Sequence, residues 1–311
     1  MICQCAGYNM LHMKGISSIF VLLVLLVGTG QVLANDDLFQ QGRYIFFAAG
    51  CISCHTVDLP LAGGRAIDSP FGTFYSPNIT PHREYGIGNW TQEELIRAIR
   101  EGISPEGEHY YPAFPYPSFT RMTRRDIMAL YTYLMAQPAF PKKNRPHELV
   151  WFLYNRSLIA HWKQGSFTPG VLQFDPNESG EWNRGQYLAM ALGHCSECHT
   201  PRGVLGGPLM DKYLAGTREG PGGIRVPNIT PDEETGIGDW THEDLEIFLA
   251  TGRKPDGCYP TGLMMEVLRT SGMRLTEYDQ HALAIYLGSL PLIHNDLDAT
   301  EDPFQGPDFY E

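Results

Sequence analysis

Two stretches of this 311-residue chain match each other. One is "SPNITPHREYGIGNWTQEEL" (Ser76 to Leu95) and the other "VPNITPDEETGIGDWTHEDL" (Val226 to Leu245), offset by 150 positions. Ahead of each lies a helix-like segment that ends in a cysteine pair: "QQGRYIFFAAGCISCH" (Gln40 to His55) and "WNRGQYLAMALGHCSECH" (Trp182 to His199). After each lies another, "RRDIMALYTYL" (Arg124 to Leu134) and "EYDQHALAIYLGSL" (Glu277 to Leu290). Self-similarity at so long a period fits two homologous domains and not a solenoid, which needs three or more short repeats. Each domain would hold roughly 100 to 120 residues, enough for one hydrophobic core. The expected boundaries are 35–140 and 182–293, with a structured linker over 141–181 and an acidic tail over 294–311.

Within each copy the local signals are helical. Thr91 with Glu94, and Thr241 with Asp244, have the spacing of capping boxes at helix starts. Leu95, Ile96 and Ile99 fall on one helix face. Sustained period-two alternation is absent, so strands are not expected. The 33 glycines and 23 prolines point to much irregular structure. The fold class is therefore all-α with long loops. Inside the linker, "HELVWFLYNRSLIAHW" (His147 to Trp162) reads as an amphipathic helix.

The first 34 residues differ from the rest. "SSIFVLLVLLVGTGQVLA" is apolar and uncharged, Lys14 precedes it, and "VLA" (Val32 to Ala34) ends it like a small-residue cleavage site. This reads as a secretory signal peptide, which places the mature chain in the periplasm. The run is about 18 residues, near the lower limit for a membrane span, so a retained anchor is the alternative. The formal charge of −12 argues against nucleic acid as a partner.

Of the 7 cysteines, Cys3 and Cys5 fall in the leader, four form two CxxC pairs, and Cys258 stands alone. A lone CxxC is open to several readings. Zinc needs four ligands, usually two such pairs close together in a small module, and here the pairs lie in separate copies. A redox dithiol belongs in a βαβ context, which is missing. In both copies a histidine follows at once: "CISCH" (Cys51 to His55) and "CSECH" (Cys195 to His199). CxxCH is the attachment signature of c-type haem: Cys51, Cys54, Cys195 and Cys198 would form thioethers, and His55 and His199 would ligate iron. Two covalently bound haem c groups are expected.

With these motifs in view, the chain resembles the dihaem cytochromes c, in particular the cytochrome subunits that serve periplasmic alcohol, aldehyde, sugar-acid and molybdenum-hydroxylase-type dehydrogenases. "CISCH", "PNITP", "GIGNWT", "YPAFPYPSF", "WNRGQYL", "GHCSECHTPRG" and "GIGDWT" carry the resemblance over nearly all of the chain beyond the leader. It implies a methionine as the second axial ligand in each copy, whose soft thioether favours ferrous iron. In the second copy Met264, Met265 and Met273 are available, and the family pattern before Glu266 and Val267 selects Met264. In the first copy the family often reads "YPAMPY", where this chain has Phe114. Met122 is then the first choice, with Met128, His109 or an open iron as alternatives.

The remaining roles are softer. Gly42 and Gly185 are expected to let the first helix of each copy cross the last one closely, beside Tyr133 and Tyr286. Asn78, Asn228, Trp90 and Trp240 are either donors to haem propionates or, for the asparagines, turn chemistry and, for the tryptophans, core. Arg202 is a further propionate partner. Cys258 is expected to be a buried free thiol. The functional expectation is an electron-transfer subunit. It would take electrons from a periplasmic dehydrogenase and pass them to a downstream cytochrome or oxidase, with membrane association only through a retained leader or a partner. The alternative is a dihaem redox enzyme, of peroxidase or thiosulfate dehydrogenase type, with one open or unusual haem.

Overall fold

A computed structural model describes residues 36–298. The leader lies outside the described residues, as does the tail beyond Asp298. The first copy builds helix α1 (36–48), α2 (Cys51–His55), α3 (Gln92–Glu101), α4 (Tyr116–Phe119) and α5 (Arg124–Met135). The linker contributes α6 (Ser157–Ser166). The second copy repeats the order with α7 (Gly180–Tyr187), α8 (Ser196–His199), α9 (His242–Thr251), α10 (Gly262–Thr270) and α11 (Glu277–Gly288). The chain is mostly helical, as the sequence implies.

The helix starts follow the capping signals. Thr91 accepts from the Glu94 amide while the Glu94 carboxylate accepts from the Thr91 amide at 2.7 Å. Thr241 and Asp244 form the same reciprocal pair. Gly102 and Gly252 end α3 and α9 in the left-handed conformation that glycine adopts without strain.

In each copy the first helix crosses the last at a glycine. A Cβ on Gly42 would sit 1.9 Å from the Ala129 carbonyl oxygen and 2.9 Å from the Tyr133 Cβ. One on Gly185 would sit 2.0 Å from the Ala282 oxygen and 2.7 Å from the Tyr286 Cβ. Both crossings, and both tyrosine neighbours, agree with the sequence reading. One apolar core runs through both copies, from Ile45, Phe46 and Ile127 to Leu192, Leu249 and Leu283.

Three details depart from expectation. A small antiparallel sheet exists, with β1 (Ala66–Ser69) paired to β2 (Gly72–Tyr75) and β2 to β3 (Glu148–Leu149). These strands are too short to show an alternation, and one comes from the linker. The linker segment is not one helix: β3 and a 3₁₀ turn (Trp151–Tyr154) precede α6. Third, the second copy has eight positions from Tyr187 to Cys195 where the first has seven from Tyr44 to Cys51. The extra residue is absorbed as a π-helical turn, Leu188–Leu192, the usual structural outcome of a one-residue insertion in a helix.

Candidate functional site

Each CxxCH motif forms a short helical turn, and the loop behind it folds back in the same way in both copies. Leu61 and Leu214 hold positive φ angles of 60° and 59°, uncommon for a residue with a bulky side chain. Two residues on, the amides of Gly63 and Gly216 donate to the carbonyls of His55 and His199 at 2.9 and 2.7 Å. This "LAG" repeat (Leu61 to Gly63, Leu214 to Gly216) was open to the same sequence comparison that found the longer match, but only the backbone angles give it meaning.

The loop brings a proline carbonyl onto each histidine. The Nδ1 atoms of His55 and His199 lie 2.8 Å from the carbonyl oxygens of Pro77 and Pro227. A carbonyl can only accept, so Nδ1 carries the proton in both rings and Nε2 keeps its lone pair. Burial lowers both imidazole pKa values and the proline hydrogen bonds oppose it. A neutral, oriented imidazole with Nε2 free is the form that ligates a metal.

The four CxxC cysteines are free thiols and not disulfides. Burial pushes Cys51 and Cys195 up to about 12, and Cys54 also upward. Burial, followed by the charges of Glu197 and Cys54 with Arg202 opposing, raises Cys198 to about 11. Among the described residues no three His, Cys, Asp or Glu side chains converge as a metal-ion cluster. The donor set of one oriented imidazole and two free cysteines per turn fits covalent haem c.

The two turns also face each other's copy. The Ser53 and Thr270 hydroxyls lie 2.7 Å apart, Arg65 pairs with Glu266 through both terminal guanidinium nitrogens, and the Ser271 hydroxyl donates to the Ala48 carbonyl at 2.9 Å. In the reverse direction, the Ser118 hydroxyl donates to Glu197 at 2.9 Å and the Phe119 ring lies 5.4 Å from His194. So α10 of the second copy packs on α2 of the first, and the α4 segment of the first packs on the second CxxCH turn.

Other sequence-selected residues fall as follows. Met122 is buried in the core just ahead of α5. Met264 is partly buried on α10 against the core, while the methyls of Met265 and Met273 fill the space beside Gly252. Phe114 packs with Phe119 and Tyr110 in an aromatic wall. His109 Nδ1 is buried without a partner among the described residues.

Asn78 and Asn228 direct their side-chain amides into the protein itself. The Asn78 amide gives its hydrogens to the carbonyls of Phe140 and Lys142, and its oxygen accepts from the Thr80 amide and hydroxyl. Asn228 is spent in the same way on Thr235, Ile293 and Thr230. Both hold the "NIT" turns together. Arg202 is also taken, by Glu197 and the Gly206 carbonyl. Cys258 is exposed and not buried, because Asp256 caps its amide in a tight surface turn. Trp90 and Trp240 are partly buried against the core, their indole N–H groups without partners among the described residues.

Sequence reasoning passed over one polar network. The hydroxyls of Tyr44 and Tyr187 donate to Asp279 and Asp126, each at 2.5 Å, and each bond crosses from one copy to the other. Burial, then the bond to Asp279, pushes the Tyr44 phenol up to about 12. Comparing the copies at "QGRY" and "RGQY" would have shown the shared tyrosine, but not that its partner lies in the other copy.

Residues 39–138 match the family model described as cytochrome c. The chain is 36% identical over 291 residues to a dihaem cytochrome c-type protein of Cereibacter sphaeroides, covering 87% of this chain and 96% of that one. It is 40% identical over 263 residues to the fructose dehydrogenase cytochrome subunit of Gluconobacter japonicus, covering 83% of this chain. A gluconate 2-dehydrogenase cytochrome c subunit of Pantoea cypripedii is 37% identical over 268 residues, again 83% of this chain. The match spans 54% and 60% of the length of those two dehydrogenase subunits.

Proposed function

The chain belongs to the cytochrome c family, and from that premise we propose that it is a two-haem electron carrier that serves a periplasmic dehydrogenase. Its two tandem cytochrome c domains span 35–140 and 182–293, joined by the linker over 141–181. The leader over 1–34 directs it to the periplasm, and association with a membrane would come through a retained leader or a partner. No helix among the described residues is long and apolar enough to cross a membrane. The electron donor is the dehydrogenase; the acceptor is a downstream cytochrome or terminal oxidase.

One observation carries this reading: in both copies a proline carbonyl fixes the CxxCH histidine with Nε2 free, one turn from two free cysteines. Cys51, Cys54 and His55 would hold the first haem, and Cys195, Cys198 and His199 the second. Bound haem c supplies a one-electron ferric/ferrous couple. The protein's part is to bind, orient and keep water out. The wall of Tyr110, Phe114, Tyr116 and Phe119 supplies low polarity, which disfavours the more highly charged ferric state. Met264 is the second ligand we assign on the second haem, since Met265 and Met273 are engaged beside Gly252. Met122 is the assignment on the first. Trp90 and Trp240 are the propionate donors we assign, since their N–H groups meet no partner among the described residues.

The methionine–iron charge-transfer band at the red end of the ferric spectrum tests the ligands. Met122→Ala should remove the first haem's share of that band and leave the second haem's share intact. A full-strength band in the variant would mean that another group ligates the first iron.

A further inference from the structure

The last helices of the two copies begin with an incomplete cap, and the other copy completes it. In α3 and α9 the capping box is closed within the helix: the Thr amide reaches the carboxylate three residues on. Helices α5 and α11 start with the same Thr-x-x-acid spacing, Thr123 with Asp126 and Thr276 with Asp279. There only half of the box forms, with Asp126 and Asp279 amides donating to Thr123 and Thr276 hydroxyls at 3.1 and 3.2 Å. The other half is bridged by a tyrosine of the opposite copy. The Thr123 amide donates to the Tyr187 hydroxyl at 3.1 Å, which donates to Asp126. The Thr276 amide donates to the Tyr44 hydroxyl at 3.2 Å, which donates to Asp279.

The arrangement is reciprocal. Each tyrosine lies on the first helix of its own copy, two residues beyond the glycine that crosses the last helix. Each carboxylate is also held from its own copy, Asp126 by Gln41 at 2.7 Å and Asp279 by both ends of Arg184 at 2.8 and 2.6 Å. Both carboxylates are buried. An O–H donor to a buried carboxylate is a strong, directional bond, and an orphaned partner is costly. Two such bonds related by a near-twofold exchange fix rotation between the copies as well as separation. Seven or eight positions further along the chain from these tyrosines lie the two CxxCH turns.

We propose that Tyr44 and Tyr187 are positioning residues for electron exchange between the two haems, acting by completing each other copy's helix cap. This rests on the two-haem reading above. Both hydroxyls bond to the helix caps and not to a CxxCH motif, so they act through the orientation of one copy against the other.

The test uses the full haem-loaded chain and compares wild type with a Tyr44→Phe/Tyr187→Phe double variant. Phenylalanine keeps the ring and removes only the hydroxyl. Three readouts are taken: covalent haem per chain, the Soret circular-dichroism couplet that reports relative haem orientation, and the rate of inter-haem exchange after rapid one-electron reduction. Expected are full haem loading, loss of the couplet and slower exchange. Tyr154→Phe is the matched control: its hydroxyl also accepts an amide (Leu149) and donates to an oxygen (His147), but within the linker. It should leave all three readouts at wild-type values.

An unchanged couplet and exchange rate in a fully loaded double variant overturns the proposal and leaves the two-haem function standing. A wild-type chain with fewer than two haems overturns the functional reading, and the proposal with it. Should the double variant fail to load, Tyr187→Phe alone retains the Tyr44 bridge and gives the same readouts. A weakened couplet in it supports the proposal, and a wild-type couplet overturns it.

Discussion

A Gly185→Ala chain should lose about 3 kcal/mol of stability or more, by the scale of overpacked cores. The direction is opposite to what helix propensity gives. Glycine inside a helix is about 1 kcal/mol worse than alanine, so the substitution would stabilise an exposed helix. At position 185 the new methyl would lie 2.0 Å from the Ala282 carbonyl oxygen and 2.7 Å from the carbonyl carbon. Neither is the end of a flexible side chain, so nothing can rotate away. Helices α7 and α11 would have to part, and with them Leu188, Leu192, Leu283 and Leu287 from the core. Gly180 begins the same helix with open space around its Cβ position, so Gly180→Ala should be neutral or mildly stabilising. Thermal or denaturant unfolding of the two haem-loaded variants checks the contrast. Equal midpoints would mean that the crossing is looser than described.

Asp279→Ala should cost on the order of 3–5 kcal/mol, the range for removing one member of a buried ion pair. The carboxylate side chain is only 4% exposed and its partner Arg184 28%. Removing it strands the guanidinium and leaves the Tyr44 hydroxyl, which accepts from the Thr276 amide at the start of α11, with no acceptor of its own. The charge left behind matters more than the attraction lost. Asp279→Asn keeps one acceptor and the cap geometry and should fall between alanine and wild type. The surface pair of Arg124 and Glu93 is a useful contrast, being more than half exposed on both sides. Urea unfolding of Asp279→Ala at neutral pH, with haem content checked beforehand, gives the number. A loss no larger than that of an exposed pair would mean that Arg184 finds water or another partner.

Most of the parts legible in the sequence depend on residues near one another in the chain. The capping boxes at Thr91 and Thr241, the helices at 124–134 and 277–290, and the CxxCH turns are all of this kind. The glycine crossings were also legible, because the repeat shows Gly42 and Gly185 in one register with Tyr133 and Tyr286. What the sequence hid depends on contacts between the copies. Thr123 and Asp126 have the spacing of a closed capping box, and nothing local shows that Tyr187 opens it. Asn78 and Arg202 carry donors suited to a propionate, and only the fold reveals that Phe140, Lys142 and Glu197 already take them. The strands at 66–75 were invisible because they are four residues long and one edge of the sheet comes from the linker. Cys258 was misread because its apolar character weighs toward the interior, whereas the Asp256 turn holds it at the surface.

The most direct test of the central claim is the covalent haem content of the full chain. Intact mass, peptide mapping and a pyridine haemochrome assay on the same sample should agree. The account predicts two haems per chain that resist acid-acetone extraction, one on the peptide with Cys51 and Cys54 and one on that with Cys195 and Cys198. A single haem per chain, extractable haem, or unmodified thiols at either pair would contradict it.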